Sequence, residues 1–207
     1  VPVRDCDGRI IAMKVRRDEA RDGAPKYMYL SSRSDKSPEG PSPGSPAHVP
    51  VGIYGPVETV RVTEGELKAD VAYRLSGVPT ISFPGVSSWR RIVPVLEELS
   101  ARTVRVAFDA DASQNVHVAR ALRECVQHLQ TAEYAVELEH WPARVGKGID
   151  DILAARETPQ MLIGQDLQSE IQTIAEAAGL EDIAVSTTPN EAVDDPHRLA
   201  RLYIQRY

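Results

Sequence analysis

Hydrophobic and polar residues alternate along the first thirty positions of the chain. The stretch "VPVRDCDGRIIAMKVR" places an Asp7-Gly8 pair between two alternating segments, and "KYMYLSS" follows as a third segment of the same kind. An Asp-Gly pair in this setting is a strong short-range signal for a β-hairpin. We therefore predict a small N-terminal antiparallel β segment.

A segment rich in Ser, Pro and Gly follows at residues 32–50, "SRSDKSPEGPSPGSPAHVP". This composition disfavours regular secondary structure and is typical of a mobile loop or linker. Two interpretations stay open: a simple tether, or a lid over a site farther along the chain.

From about Val57 the pattern changes, and segments with strand periodicity alternate with segments of helical periodicity. Such alternation predicts an α/β fold with a mostly parallel sheet and helices on both faces. From Ile149 to Ala178 only helices are expected. The apolar helix faces that we expect to be buried are Leu67, Val71 and Leu75; Trp89, Ile92, Val93, Leu96 and Leu99; and Ala119, Leu122, Val126 and Leu129.

These patterns divide the chain into three parts. Residues 1–50 hold the N-terminal strands and the Pro/Ser/Gly-rich loop, residues 51–182 form the α/β domain, and residues 183–207 are a linker and the start of a following region. The length of 207 residues and the 42% hydrophobic content suit one medium-sized domain with a small appendage.

The charge distribution and the cysteine content limit the ligands and metal sites that we expect for this chain. The net charge is −6, but residues 1–50 carry nine Lys and Arg against seven Asp and Glu, whereas the remainder carries fifteen against twenty-three. An acidic main body binds polyanions poorly by itself, so nucleic acid would require divalent cations and a few well-placed basic side chains. Cys6 and Cys125 lack His neighbours at metal spacing and are expected to be free thiols. We expect a cytoplasmic protein, because neither a secretion signal nor a long apolar segment is evident.

Acidic residues follow the predicted strands at several points. Glu64 comes directly after "TVRVT", and Asp109 and Asp111 follow "TVRVAF". Ligands of open parallel sheets gather at the carboxyl ends of the strands, so we expect these carboxylates to lie together. Asp150, in "GKGIDDILAA", is a fourth candidate, although it and Asp151 also suit an ordinary helix start. Hard oxygen ligands of this kind favour Mg²⁺ or Mn²⁺.

The motifs "VTEGELKADVAYRLSG", "FDADASQNVHVARAL" and "KGIDDILAA" resemble, in this order, those of the TOPRIM domain. That domain is shared by bacterial-type primases, type IA and type II topoisomerases and OLD-family nucleases. The resemblance covers roughly residues 57–155 and is nearest to the TOPRIM-like module of phage and plasmid primase-helicases. It implies a module of a larger protein with a covalently linked helicase domain, in which "NEAVDDPHRLARLYIQRY" would open the helicase part.

The resemblance also implies roles for individual residues. Glu64 corresponds to the general acid/base that handles the proton of a 3′ oxygen, Asp109 and Asp111 to the metal-binding pair, and Asp150 to the outer acid of the third motif. This chain departs from bacterial primases at Lys68 and Gly148, where those proteins carry acids. With fewer acids we expect at most one metal ion in the free protein, and a second that arrives with substrate.

Other residues at this edge are candidates for contacts to phosphate. Lys68 and Lys147 are placed to touch phosphates, Gly85 allows a phosphate to approach backbone amides, and Arg90 could contact a nucleic-acid backbone. Each of these also suits an ordinary surface position.

Three functions stay open at this point. The first is a Mg²⁺-dependent nucleotidyltransferase that makes primers from nucleoside triphosphates on single-stranded DNA. The second is a nuclease that uses the same carboxylates. The third is a non-catalytic module that binds nucleic acid or a partner, which the loss of acids at Lys68 and Gly148 favours.

Overall fold

The computed structural model describes residues 1–17, 27–31, 38–40 and 42–180. The predicted linker at 183–207 and part of the Ser/Pro/Gly-rich segment lie outside the described residues. Within the part that is described, no helix is both long enough and apolar enough to cross a membrane.

The N-terminal segment forms a three-stranded antiparallel sheet, as predicted. Its strands are β1 (Pro2–Arg4), β2 (Ile10–Arg16) and β3 (Tyr27–Tyr29), in the order β1-β2-β3. Gly8 adopts a positive φ of 77° in the turn between β1 and β2. The turn is also held by the Asp5 carboxylate, which accepts hydrogen bonds from the backbone N–H groups of Asp7 and Arg9 at 3.1 and 2.9 Å.

The main sheet has five strands in the order β5-β4-β6-β7-β8. They are β4 (Thr59–Glu64), β5 (Thr80–Phe83), β6 (Thr103–Ala107), β7 (Ala135–His140) and β8 (Gln160–Leu162). The first four are parallel, and β8 pairs antiparallel with β7. The α/β prediction with a mostly parallel sheet is confirmed, while β8 lies within the stretch for which only helices were expected.

Helices cover both faces of this sheet. They are α1 (Glu66–Ser76), α2 (Val93–Glu98, preceded by a 3₁₀ helix at Val86–Ile92), α3 (Val116–Thr131), α4 (Ile149–Ala154) and α5 (Gly164–Ala177). One large apolar core includes the faces predicted around Trp89 and Leu122, and a smaller core joins Ala72 of α1 to Ile149 and Ile152 of α4. The two cysteines are free and buried.

The prediction of which face of α1 is buried is wrong. Leu67, Val71 and Leu75 are 48, 39 and 52% exposed, and the helix instead buries Glu66, Ala69 and Ala72. Small side chains allow α1 to lie close to α4 and to the sheet, and Glu66 is accepted inside because a lysine neutralises it, as described below. Periodicity identified an amphipathic helix but not which face the tertiary contacts select.

The end of the Ser/Pro/Gly-rich segment is part of the core. Ala47, Val49 and Ile53 are buried in the main apolar cluster. The backbone of His48 exchanges hydrogen bonds with that of Ser82 in β5, at 2.8 and 3.0 Å. The predicted domain boundary at residue 50 therefore falls inside a segment that packs against the edge of the main sheet.

A buried ion pair crosses the sheet beneath the site. The Arg61 guanidinium on β4 reaches past β6 and donates two hydrogen bonds to the Glu139 carboxylate on β7, at 2.7 and 2.8 Å. Both side chains are almost completely buried, at 3 and 1% exposure. The pair therefore links β4 to β7 across the strand between them.

Candidate active site

The carboxyl edge of the parallel strands brings the predicted acids into one region. Glu64 is the last residue of β4, and Gly65 turns the chain into α1 with a φ of 91°, a conformation that side chains disfavour. Asp109 follows β6 two residues after its end, and its side chain is 8% exposed. Asp111, two residues farther, is 39% exposed.

The loop before α4 closes the site from the other side. The Ala110 backbone N–H donates to the Lys147 carbonyl at 2.9 Å, which joins this loop to the segment that carries Asp109 and Asp111. The Asp151 carboxylate accepts hydrogen bonds from the backbone N–H groups of Lys147 and Gly148, at 2.9 and 3.1 Å, so it caps the loop. Asp150, in contrast, has a buried Oδ1 atom without a hydrogen-bond partner.

Two lysines enter between the carboxylates. Lys68 forms an ion pair with Asp109 Oδ1, and Lys147 Nζ lies 2.9 Å from Asp111 Oδ2 and 3.7 Å from Asp109 Oδ2. The hydrogen bond to Asp111 raises the pKa of Lys147, so its ammonium remains charged. Both lysines predicted to contact phosphate therefore lie at the acidic edge, where they neutralise the aspartates.

The environment of Glu64 and Asp150 favours their protonated forms. Burial raises the pKa of Glu64, and the nearby charge of Asp109 raises it further, against the opposing effect of the two lysines. Burial likewise raises the pKa of Asp150, with a contribution from Asp151. A carboxyl group with a raised pKa is suited to proton transfer near neutral pH.

The raised pKa of Glu64 predicts a pH-dependent stability. The folded chain holds this proton to a higher pH than the unfolded chain, so stability falls as the pH rises from the unfolded pKa of Glu64 to its folded pKa, and the loss is complete above the folded pKa. Glutamine resembles the protonated form and removes this cost. We expect Glu64→Gln to raise Tm at pH 8 and to leave Tm unchanged well below pH 4.5, the ordinary pKa of a glutamate. Calorimetry across this range measures the effect, and an equal Tm for both proteins at pH 8 would contradict the assignment.

The small N-terminal sheet forms one wall of a cavity beside Glu64. The cavity has a volume of about 460 Å³, and its lining includes Lys14, Tyr29, Glu64, Lys68 and Gly85. It opens directly at the acidic edge, so a ligand there would contact both sheets of the protein.

A buried ion pair joins the N-terminal sheet to helix α1 at this cavity. Lys14 Nζ lies 2.6 Å from Glu66 Oε1, and both side chains are 8% exposed. Lys14 Nζ also lies 4.9 Å from the centroid of the Tyr29 ring. Sequence reasoning missed this cluster, although one signal was present: the alternation of β2 places Lys14 on the same face as the buried Ala12.

The other predicted contact residues are placed differently. Gly85 lines the cavity, and a Cβ atom there would meet nothing within 4 Å. Arg90 is turned towards α3, where it lies 3.5 Å from Glu124, and its guanidinium stacks 4.3 Å from the centroid of the Trp89 ring. The structure brings Glu64, Asp109, Asp111, Asp150, Lys68, Lys147 and Gly85 to one edge, whereas the Arg90 side chain contacts α3.

The donor atoms at this edge are of the type that a hard divalent cation prefers. Its candidate ligands are carboxylate oxygens, and the buried Oδ1 of Asp150 lacks a partner. Across the described ranges, however, no group of three or more His, Cys, Asp or Glu side chains is arranged to hold one ion together. The ammonium groups of Lys68 and Lys147 provide the positive charge next to Asp109 and Asp111 instead.

Comparison with solved structures identifies the class of fold. The chain is similar to the zinc-binding and RNA polymerase domains of the Aquifex aeolicus primase (TM-score 0.54, 15% identity, 89% of this chain and 47% of that chain). It is also similar to a DNA primase domain from Pseudomonas aeruginosa (0.52, 17%, 87% and 68%) and to the primase fragment of the bacteriophage T7 primase-helicase protein (0.50, 18%, 82% and 61%). The chain thus has a primase-like α/β fold and spans about half the length of the Aquifex aeolicus chain.

The sequence family is shown by a separate comparison. The model of the family described as "Domain of unknown function (DUF3854)" matches residues 56–160, just over half of the chain. The chain belongs to this family. No curated protein sequence matches it.

Proposed function

We propose that this chain is the TOPRIM-type module of a DNA primase and transfers nucleotides in a Mg²⁺- or Mn²⁺-dependent reaction. The observation that carries the proposal is the convergence of Glu64, Asp109, Asp111 and Asp150 beside a cavity at the carboxyl edge of the sheet. The primase-like fold supports it, and the order of the motifs agrees with it.

Asp109, Asp111 and Asp150 would hold the metal once Lys68 and Lys147 release the aspartates and the three acids turn towards one ion, with Glu64 next to them. The bound cation would neutralise charge on the transferring phosphate. Glu64 would take the proton of the attacking 3′ hydroxyl. The 3′ oxygen would at the same time bond to the α-phosphorus of the nucleotide, and the bond from this phosphorus to the pyrophosphate leaving group would break. The raised pKa of Glu64 suits this proton transfer, because it makes the carboxylate a stronger base than an exposed glutamate.

Nucleoside triphosphates and single-stranded DNA are the proposed partners. The cavity beside Glu64 offers Lys14 and Lys68 for phosphates and Tyr29 for a ring contact. Gly85 adds open backbone at the same wall, which favours our proposal that a phosphate approaches there. Arg90 would contact single-stranded DNA only if the DNA passes along α3. In the parent protein we propose a linked helicase domain, as in the primase-helicase from which the T7 fragment derives.

Primer synthesis tests this function. The protein is incubated with single-stranded templates, labelled nucleoside triphosphates and Mg²⁺ or Mn²⁺, and we expect metal-dependent oligonucleotides. A parallel reaction contains labelled DNA without nucleotides. Absence of oligonucleotides from the intact parent protein, under conditions in which its helicase works, would contradict the primase proposal. Fragments in the parallel reaction would identify the nuclease alternative.

One observation favours the non-catalytic alternative. Lys68 is paired with Asp109, the most buried acid of the site, so the free protein already satisfies this carboxylate without a metal. A binding module would retain this pair with DNA bound and would produce neither primers nor fragments.

A further inference from the structure

The two positions at which the chain departs from bacterial primases are in contact. A Cβ atom added to Gly148 would clash with Asp150 Oδ1, and it would lie 3.0 Å from Lys68 Cε and 3.1 Å from Lys68 Cδ. These distances are shorter than ordinary van der Waals contacts, so the aliphatic part of Lys68 occupies the space that a side chain at position 148 would need. Lys68 and the Asp150 carboxylate therefore both pack against Gly148, and lysine at 68 and glycine at 148 form part of one structural unit.

This unit delivers a positive charge to the most buried aspartate of the site. The Lys68 side chain passes over Gly148 and ends in an ion pair with Asp109, which is 8% exposed. Lys68 itself remains 25% exposed, so its ammonium is accessible from the cavity beside Glu64. The same lysine lowers the pKa of Glu64 and of Asp150. One ammonium thus interacts with three of the four carboxyl groups.

We propose that Lys68 is an internal counter-ion which must leave Asp109 before a divalent cation binds, and which then pairs with the phosphate of the incoming nucleotide. Metal and phosphate consequently bind together, and the free protein has little affinity for the metal. The phosphate half of this inference rests on the proposed function, whereas the competition between Lys68 and the metal stands on the ion pair alone.

Electrostatics supports an exchange of partners rather than the simple loss of one. Asp109 is too buried to lose Lys68 without a replacement, because an unpaired buried charge is strongly destabilising. A metal ion supplies that replacement, and a phosphate gives Lys68 a new partner, so neither charge is left unpaired. A metal ion without phosphate would neutralise Asp109, but the Lys68 ammonium would repel it, because Lys68 would have no new partner. By linkage, phosphate then strengthens metal binding by the same factor as metal strengthens phosphate binding.

The test measures metal binding without turnover. Mn²⁺ is titrated into the protein in phosphate-free buffer and free Mn²⁺ is followed by electron paramagnetic resonance, for the wild type, Lys68→Gln and Arg74→Gln. Arg74 lies on the same helix, is exposed and loses the same charge, so it is the matched control. We expect Lys68→Gln to bind Mn²⁺ at least about tenfold more tightly than the wild type, and Arg74→Gln to change the affinity less than about twofold.

The converse titration tests the second half of the exchange. With saturating Mn²⁺ present, tripolyphosphate should bind the wild type and Arg74→Gln, and should bind Lys68→Gln several-fold more weakly, whereas with EDTA present all three proteins should bind it equally weakly. If Lys68→Gln binds Mn²⁺ no more tightly than the wild type, the counter-ion role is wrong. If it binds Mn²⁺ more tightly but binds tripolyphosphate equally well, the transfer of Lys68 to phosphate is wrong.

Gly148→Ala offers a second variant that leaves Lys68 in the chain. The added methyl group meets the Asp150 carboxylate in both backgrounds but meets the Lys68 side chain only in the wild type, so its effect on Mn²⁺ affinity should be more favourable in the wild-type background than in a Lys68→Ala background. Equal effects in both backgrounds would overturn the proposal that the two positions act as one unit. Failure of primer synthesis with these metal-binding results intact would refute the proposed function and not the competition.

Discussion

Replacing Glu64 by glutamine is expected to reduce the rate of primer synthesis by about 10²–10⁴-fold, the usual contribution of a positioned general acid or base. Glutamine keeps the size of the side chain but cannot take the proton of the 3′ hydroxyl. The measurement is the initial rate of oligonucleotide formation at saturating Mg²⁺ and nucleotide. Glu133→Gln is the matched control, because Glu133 is exposed and lies before the amino end of β7, at the opposite edge of the sheet.

The stability of the same variant distinguishes a catalytic role from a structural one. Because burial and Asp109 raise the pKa of Glu64, glutamine should stabilise the fold at pH 8 while it removes activity. A residue that only supports the fold would lose activity and stability together. Retention of more than about half of the wild-type rate by Glu64→Gln would exclude Glu64 as the acid/base.

The convergence of the acids could be predicted because topology alone determines it. Glu64 and Asp109 follow adjacent parallel strands, and parallel strands place their carboxyl ends at one edge. No side-chain detail enters this step, so alternation of strands and helices in the sequence was sufficient. The antiparallel hairpin at Gly8 could also be predicted, because its sequence signal is local.

The charge balance inside the site could not be predicted in this way. Whether Lys68 faces water or Asp109 depends on the rotation of α1, and the sequence pattern indicated the wrong face for this helix. That rotation follows from close packing of Ala72 against α4 and from the Lys14–Glu66 pair, both of which join parts of the chain distant in sequence. The short β8 was missed because three residues carry too little periodicity.

The N-terminal sheet is a structural part of the candidate site. Its Lys14 neutralises Glu66, the first residue of α1, and α1 also carries Lys68. Because Glu66 is buried, removal of Lys14 would leave an unpaired charge at the start of the helix. The position of α1, and with it the Lys68–Asp109 pair, therefore depends on a strand that comes before the family match at residues 56–160.

The largest stability effect is expected at the buried pair beneath the site. Arg61→Met leaves the Glu139 carboxylate without its bidentate partner at 1% exposure. Breaking a buried ion pair from one side costs about 3–5 kcal/mol. For a chain of this length we expect a fall in Tm of about 6–20 °C by calorimetry at neutral pH.

A more exposed ion pair between two neighbouring strands provides the control. Arg105 and Glu137 form a 2.6 Å pair between β6 and β7, but their side chains are 29 and 25% exposed, so Arg105→Met should cost only about 0–1 kcal/mol. The double variant Arg61→Met/Glu139→Leu should recover most of the loss, because no buried charge remains. Ser76 and Thr80, which accept hydrogen bonds from Arg61, still donate to the carbonyl groups of Ala72 and Val78 in that variant. If Arg61→Met lowers Tm no more than Arg105→Met, burial of the Arg61–Glu139 pair does not determine its contribution to stability.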